Sequence, residues 1–239
     1  MNKLICVDDG HGMTTPGKRT PFFPGTKKFM HENEFNCAVA DLLKANLERC
    51  TFRTIMVAPG DTDVPLKTRT DTANNAKADL YISIHANALN GIWGNQQGIS
   101  THHYPGSAIS KRVATIIHKY MIQGTQQKDR GIVESDFHVL RETKMPAVLV
   151  ECAFMDNLRE ANLLLSDAFR EECADEICKG ICEYFAVPYV PAVTPIKDMI
   201  AYLNSIKIIN DTTKWTAKAT ADNDIYWLIK KTYDYVKKG

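Results

Sequence analysis

The sequence predicts an α/β domain, a mostly parallel mixed sheet flanked by helices, followed by a small helical C-terminal module. Apolar runs of four or five residues recur along the first 190 positions, and stretches with helical spacing separate them. A proline-rich break, AVPYVPAVTP, then follows Phe185. Strands that alternate with helices build largely parallel sheets, because each crossover helix returns the chain to the end of the sheet where the next strand begins.

The elements follow in order. Leu4 to Val7 (LICV) is a buried strand stopped by Asp8-Asp9-Gly10. From Glu32 to about Arg49, Phe35, Val39, Leu42, Leu43 and Leu47 recur at helical spacing, which predicts an amphipathic helix. Thr54 to Val57 (TIMV) is a second strand, ended by Pro59-Gly60-Asp61, and Arg69 to Lys77 reads as a polar helix. Leu80 to Ile84 (LYISI) is a third strand with His85 immediately after it. Gly98 to Tyr104 has strand character, and Ser107 to Met121 is helical through Ile109, Val113, Ile116, Ile117 and Tyr120. Phe137 to Leu140 (FHVL) and Ala147 to Val150 (AVLV) are two more short strands, the latter running into Glu151. Asp167 to Phe185 is a helix that Pro188 terminates.

Three prolines in AVPYVPAVTP break any helix and suit a semi-rigid connector. The expected organisation is a catalytic domain over 1–187, a linker over 188–195 and a module over 196–239. Ile196, Met199, Ile200 and Leu203, then Ile225, Leu228, Ile229 and Tyr233, give that module two helical stripes. Its aromatics, Tyr202, Trp215, Tyr226, Trp227, Tyr233 and Tyr235, are either a saccharide- or peptide-binding surface or the module's own core.

Composition narrows the function classes. With 29 basic and 28 acidic residues the net charge is +1, so no one-signed field is available to hold nucleic acid or an anionic membrane. The first residues, MNKLICVDDGHG, are too short an apolar run for a signal peptide or a membrane span, which predicts synthesis in the cytoplasm. The seven cysteines form no CxxC pair and read as reduced, mostly buried small hydrophobes; Cys178 and Cys182, four apart on a helix, are a weak metal signal without further ligands.

Open α/β sheets place ligand sites beyond the carboxyl ends of their strands. His11, His85 and Glu151 each follow an apolar strand, although they lie far apart in sequence. Glu32 and Glu34 open the first helix; acidic residues are favoured there by the helix dipole, and local sequence does not separate the two. Two histidine nitrogens and one carboxylate oxygen form an open Zn2+ set with a fourth position for water, and a further carboxylate beside it can move a proton. No HExxH is present, which excludes a thermolysin-like arrangement.

Asp9-Gly10-His11-Gly12, TPGKRTP at 15–21, ENEFN at 32–36, Arg69 with Ala73-Asn74, SIHANA at 83–88 and MPAVLVECAFMDN at 145–157 occur in that order. On these motifs the chain resembles the zinc-dependent N-acetylmuramoyl-L-alanine amidases of the Amidase_3 type, especially phage and prophage endolysins, over roughly residues 1–187. The resemblance implies that His11 and His85 are zinc ligands and that Glu151 is the catalytic acid/base. The metal glutamate of the family lies four residues before an asparagine, so Asn36 selects Glu32. Asp9 stands where the family usually has proline, and Ala153 where it usually has glycine; neither change removes a ligand.

The implied reaction is cleavage of the amide between N-acetylmuramic acid and the L-alanine of the stem peptide. The partner is bacterial peptidoglycan, the protein a monomer, and the wall is reached after holin-type release or lysis. A zinc peptidase cutting within the stem, and a catalytically inactive wall-binding protein, are the alternatives. His138 is weighed as an oxyanion contact against a core role, Asn87 as a support to the ligands, and Lys18 and Arg19 as contacts for substrate carboxylates against a solvated loop. His31, His102, His103 and His118 are read as structural, His118 on a helix surface.

Overall fold

The computed structural model of the chain describes residues 2–192, 196–221 and 223–238, which divide into two compact units, Met1–Val190 and Pro191–Gly239. The first is an α/β unit of six strands: β1 (Leu4–Asp8), β2 (Arg53–Met56), β3 (Leu80–Asn87), β4 (Ile99–His103), β5 (Asp129–Glu134) and β6 (Ala147–Phe154). Their order is β2-β1-β3-β6-β4-β5, parallel throughout except for the β4–β6 pair, which is antiparallel. Six helices accompany them: α1 (Glu32–Arg49), α2 (Leu66–Asn75), α3 (Ala108–Thr125), α4 (His138–Arg141), α5 (Leu158–Leu164) and α6 (Asp167–Phe185). The predicted mostly parallel mixed sheet flanked by helices is what the chain forms.

Strand side chains alternate between faces, and that alternation sorts the core into two. Ile5, Val7, Leu80, Ile82, Ile84, Val148 and Val150 pack with residues of α1, α3 and α6. Leu4, Cys6, Tyr81, Ala147 and Leu149 pack on the opposite face with Ala73 of α2 and with Val139 and Leu140 of α4. By the same period of two, Ser83 and His85 continue the second face along β3, and Glu151 continues it along β6.

Three readings are corrected. FHVL at 137–140 is no strand: Leu140 and Arg141 both donate backbone bonds to the Phe137 carbonyl, which makes α4 a single helical turn. A four-residue apolar run carries too little periodicity to separate the two states. β5 leaves no strand signature in the sequence, because DRGIVE has just two adjacent apolar residues; it is a sheet edge, where charge is tolerated. His85 and Glu151 lie inside their strands rather than after them, since the β3–β6 ladder runs on through the His85–Glu151 pair.

The second unit contains α7 (Ile196–Ser205), α8 (Thr212–Ala221) and α9 (Asn223–Lys238). Met199, Ile200, Leu203, Ala219 and Ile229 form its core, with Tyr202, Trp215 and Tyr233 packed against them. These three aromatics therefore serve the module's interior, whereas Tyr235 is 82% exposed. The side chains of Tyr226 and Trp227, the Ile196 position in the apolar stripe and residues 193–195 of the linker lie outside what the structure describes. Among the described residues, no helix is long and apolar enough to cross a membrane.

Candidate active site

Five segments converge at the carboxyl ends of β1, β3 and β6. The loop after β1 carries His11, and Gly10 lets it pass close to β3. Gly10 has φ +70°, and a Cβ there would come within 2.8 Å of the Ile84 carbonyl and 3.0 Å of the His85 ring. Gly12 abuts the turn at Asp61–Asp63 instead, so its lack of a side chain serves loop packing. Asn33 of α1 clamps the loop, its Nδ2 donating to the carbonyls of His11 (2.7 Å) and Gly60 (3.0 Å).

The two early glutamates separate by partner. Glu34 caps its own helix, accepting from the His31 backbone N–H at 2.7 Å. Glu32 turns into the site and is 1% exposed. Its Oε1 lies 2.9 Å from His85 Nδ1 and accepts from Ala86 N (3.2 Å) and Asn36 Nδ2 (3.4 Å). Its Oε2 is buried with no hydrogen-bond partner, 3.8 Å from both His11 Nε2 and Lys18 Nζ. One nitrogen from each of His11 and His85 and one Glu32 oxygen lie within 4.8 Å of one another.

A buried relay sets the tautomer of His85. Asp8, 1% exposed, accepts from Arg69 Nη1, Tyr81 Oη and Ser83 Oγ, each at 2.8 Å. Ser83 spends its proton on Asp8, so at 3.2 Å from His85 Nε2 its oxygen accepts from that nitrogen. The proton on Nε2 leaves the Nδ1 lone pair aimed at the Glu32 carboxylate. Two electron-rich atoms 2.9 Å apart need a cation between them, either a proton or a metal ion. The donor set thus fits Zn2+: two imidazole nitrogens, an orphaned carboxylate oxygen, and an outer hydrogen bond that fixes one ring.

The titration of the four groups follows from the same contacts. Burial, only partly opposed by Glu32, lowers His11 to about 4, keeping it neutral and free to ligate. Burial raises Glu32, but the bond to His85 and the charges of His85, His11 and Lys18 outweigh it and bring it to about 2. Burial would lower His85, and the bond to Glu32 with the charges of Glu32, Glu151 and Asp8 raises it. Burial lifts Glu151 to about 7 against the opposing charge of His85. Glu151 Oε2, like Glu32 Oε2, is buried without a hydrogen-bond partner. Glu32, Lys18, Asn87 and Glu151 all line one cleft, so Asn87 borders the site while lacking a contact to the ligands among those described.

Other residues fall elsewhere. His138 Nε2 faces Thr70 Oγ1 at 3.5 Å and is not among the residues of the His11–Glu32–His85 group. His118 is buried, not on a helix surface, and bridges Thr101 Oγ1 (3.0 Å) and Asp129 Oδ1 (2.8 Å). His102 has both ring nitrogens held, by Ser100 and Ser135. His31 stands at the α1 N-cap, and His103 Nδ1 lies 2.9 Å from the Tyr104 carbonyl. Cys178 and Cys182 of α6 do gain a third thiol, Cys50 at the C-terminal end of α1, and the three form a buried group.

Sequence reading missed Asp8, Ser83 and Asp156. Period two would have found Ser83, which shares the His85 face of β3. Asp156 Oδ2 accepts from the backbone N–H groups of Leu89 (2.8 Å), Asn90 (3.0 Å) and Gly91 (3.1 Å), holding the loop that forms one wall of the cleft system. Asp156→Ala removes this anchor. Three donors must then turn to water, and a loss of about 1–3 kcal/mol in urea unfolding is expected, with faster hydrogen exchange concentrated at Leu89–Gly91. Exchange unchanged at these three amides would show that the loop holds its shape without the carboxylate.

The model of the Amidase_3 family, described as N-acetylmuramoyl-L-alanine amidase, matches residues 5–183. The sporulation-specific N-acetylmuramoyl-L-alanine amidase of Bacillus subtilis is 32% identical over 184 residues, covering 76% of this chain and 68% of that protein. The endolysin of Bacillus phage SPP1 is 32% identical over 190 residues, covering 77% of this chain and 66% of the endolysin. The catalytic domain of CwlV, an N-acetylmuramoyl-L-alanine amidase from Bacillus (Paenibacillus) polymyxa var. colistinus, superposes with a TM-score of 0.69 at 34% identity, covering 78% of this chain and 99% of that domain.

Proposed function

The chain belongs to the Amidase_3 family of N-acetylmuramoyl-L-alanine amidases, and from that premise we propose that it hydrolyses the amide between N-acetylmuramic acid and the L-alanine of the stem peptide with a Zn2+ ion held by His11, Glu32 and His85. The observation that carries the reading is the buried Glu32 Oε2, unpartnered and facing His11 Nε2, in a pocket that Glu151 shares.

Zinc bound there supplies a Lewis acid for the scissile carbonyl and lowers the pKa of water. The protein's own groups do the rest. His11 offers a neutral nitrogen, and His85 offers one when the metal takes the place of the proton shared with Glu32, its ring oriented by Ser83 and Asp8. Glu151 takes the proton of the attacking water and delivers it to the departing alanine nitrogen. Burial beside the ligands, with one oxygen left unpartnered, places the carboxyl group where it can do both halves of that transfer. The Asp8–Arg69 pair, both residues nearly fully buried, keeps the relay rigid.

Mass spectrometry of digested peptidoglycan tests the bond cut. The amidase reading expects glycan with a free lactyl carboxyl and peptides with N-terminal alanine; shortened stems still attached to glycan would instead establish the stem-peptidase alternative. Similarity to the SPP1 endolysin supports a lytic setting, with the wall reached through a holin-type pore or after lysis.

The C-terminal module is proposed as an accessory to wall binding, supported by its separate core and by the exposed Tyr235. The cut that tests it falls after Val190, because Val190 N donates to Cys50 Sγ at 3.2 Å and its carbonyl accepts from Arg49 Nε at 2.9 Å. The chain ending at Val190 should keep turnover on soluble muropeptides within about twofold, and should pellet less with purified walls, since a tethered second contact raises local concentration. Equal pelleting with and without 191–239 removes the wall-binding role.

A further inference from the structure

We propose that Arg19 forms a carboxylate-binding subsite beside the reaction centre, taking the free acid group of the stem-peptide residue that follows the scissile L-alanine amide. The proposal rests on the amidase reading above and adds a substrate preference to it.

Arg19 is fixed relative to a proposed metal ligand. The Glu32 N–H donates to the Lys18 carbonyl at 2.9 Å, Arg19 pairs with His31 in an antiparallel bridge, and the Thr20 N–H donates to Met30 at 2.9 Å. Residues 18–20 and 30–32 thus form a short ladder that ends at Glu32.

The guanidinium itself is pre-organised. Its carbon stands 4.9 Å from the Phe22 ring centroid and 4.6 Å from that of Phe29, and Nη1 donates to the Thr20 carbonyl at 3.1 Å. The two rings hold the guanidinium in place, and its N–H groups other than the one given to Thr20 remain for a two-oxygen partner. Arg69, Arg141, Arg159 and Arg170 each hold a carboxylate, whereas Arg19, like Arg49, Arg53, Arg112 and Arg130, makes no ion pair among those described, and of these Arg19 is the one that lines the cleft joined to the site. Among the described residues, no carboxylate lies within ion-pairing distance of Arg19. A cation held in place without a partner is ready to receive an anion from outside.

The route from the reaction centre is continuous. The cleft containing Glu32 and Glu151 shares Gly17 and Ala88 with a second cleft, which Arg19 lines on one side and Leu89–Gly91 on the other. The far wall is pinned by Asp156, and Trp93 Nε1 donates to the Phe22 carbonyl at 3.0 Å, tying the two walls together. A stem leaving the scissile amide through this opening passes along Arg19. In peptidoglycan the residue after L-alanine is acidic and linked through its side chain, so its main-chain carboxyl is free or amidated. A bidentate arginine distinguishes those two forms by charge.

The test uses the full chain loaded with zinc and paired soluble muropeptides, identical except for a carboxylate or a carboxamide at that residue. The wild type should favour the carboxylate form by tenfold or more in kcat/KM, chiefly through KM. Arg19→Ala should abolish most of that ratio, and Arg19→Lys, which keeps charge but not the fork, should restore just part of it. Binding of the free dipeptide made of L-alanine and the side-chain-linked acidic residue, followed by NMR shifts of the Arg19 Nε–H, gives a readout independent of turnover. A wild type indifferent to amidation, or an Arg19→Ala ratio equal to the wild type's, overturns the subsite while leaving the amidase reading intact. Cleavage of neither muropeptide, with dipeptide still bound at Arg19, sinks the amidase reading and keeps the subsite.

Discussion

Glu151→Gln should retain zinc and lose on the order of 10²-fold or more in turnover, the size of a general acid/base contribution. Glutamine keeps the shape of the side chain and cannot carry the proton. The position supports the role: Glu151 pairs in register with His85 across β3 and β6, so the two side chains project from the same face. Its carboxyl is lifted to about 7 by burial. The sign of the pH effect follows, since the base must be ionised to accept a proton, and kcat/KM rises as pH passes upward through its pKa. A dication held by His11, Glu32 and His85 favours the carboxylate and moves that limb below neutrality in the loaded enzyme. Glu151→Gln should flatten the limb as well as lower the rate. Turnover near the wild-type value with zinc content unchanged would assign the proton transfer to another group.

Much of this arrangement is legible in the sequence for a definite reason. Long elements with clean periodicity, such as α1 and α6, announce both their type and their buried face, and LICV, LYISI and AVLV announce strands buried on both sides. Residues in or just beyond the carboxyl-terminal part of such strands can reach a shared cleft, which is why His11, His85 and Glu151 stand out although they are 74 and 66 residues apart. Glu32 is different. Its neighbour Glu34 satisfies the same helix-start preference, and what separates them is a tertiary choice, Glu34 bonding the His31 N–H while Glu32 meets His85. The family motif points to Glu32 where local chemistry leaves the two open.

The unread parts fail for equally physical reasons. β5 is an edge strand with four polar or glycine positions in six, so its pairing with β4 leaves no apolar signature. Asp156 acts on backbone groups 65–67 residues away, and no side-chain pattern encodes a carboxylate that serves three N–H groups of a distant loop. Arg19 reads locally as a loop cation. Its value emerges when Phe22 and Phe29, packed edge to face on each other, are brought against it.

His85→Ala should lose both metal and activity, the second large effect expected of this chain. The wild type should bind about one zinc per chain, with three protein ligands and an open position. Removing His85 leaves one imidazole and one carboxylate, too few to hold the ion against a chelator. Two companions locate the effect. Ser83→Ala deletes the oxygen that accepts from His85 Nε2 at 3.2 Å, freeing the ring to rotate or exchange tautomers, and zinc affinity should fall by about 10–100-fold, the usual cost of losing such an outer partner. Glu34→Ala should keep its zinc and lose about 1 kcal/mol of stability, because its carboxylate serves the helix start and not the site. Metal content and competition with a chelator separate these three. Full zinc occupancy in His85→Ala would remove the ligand assignment, and zinc loss in Glu34→Ala at full stability would exchange the roles of the two glutamates.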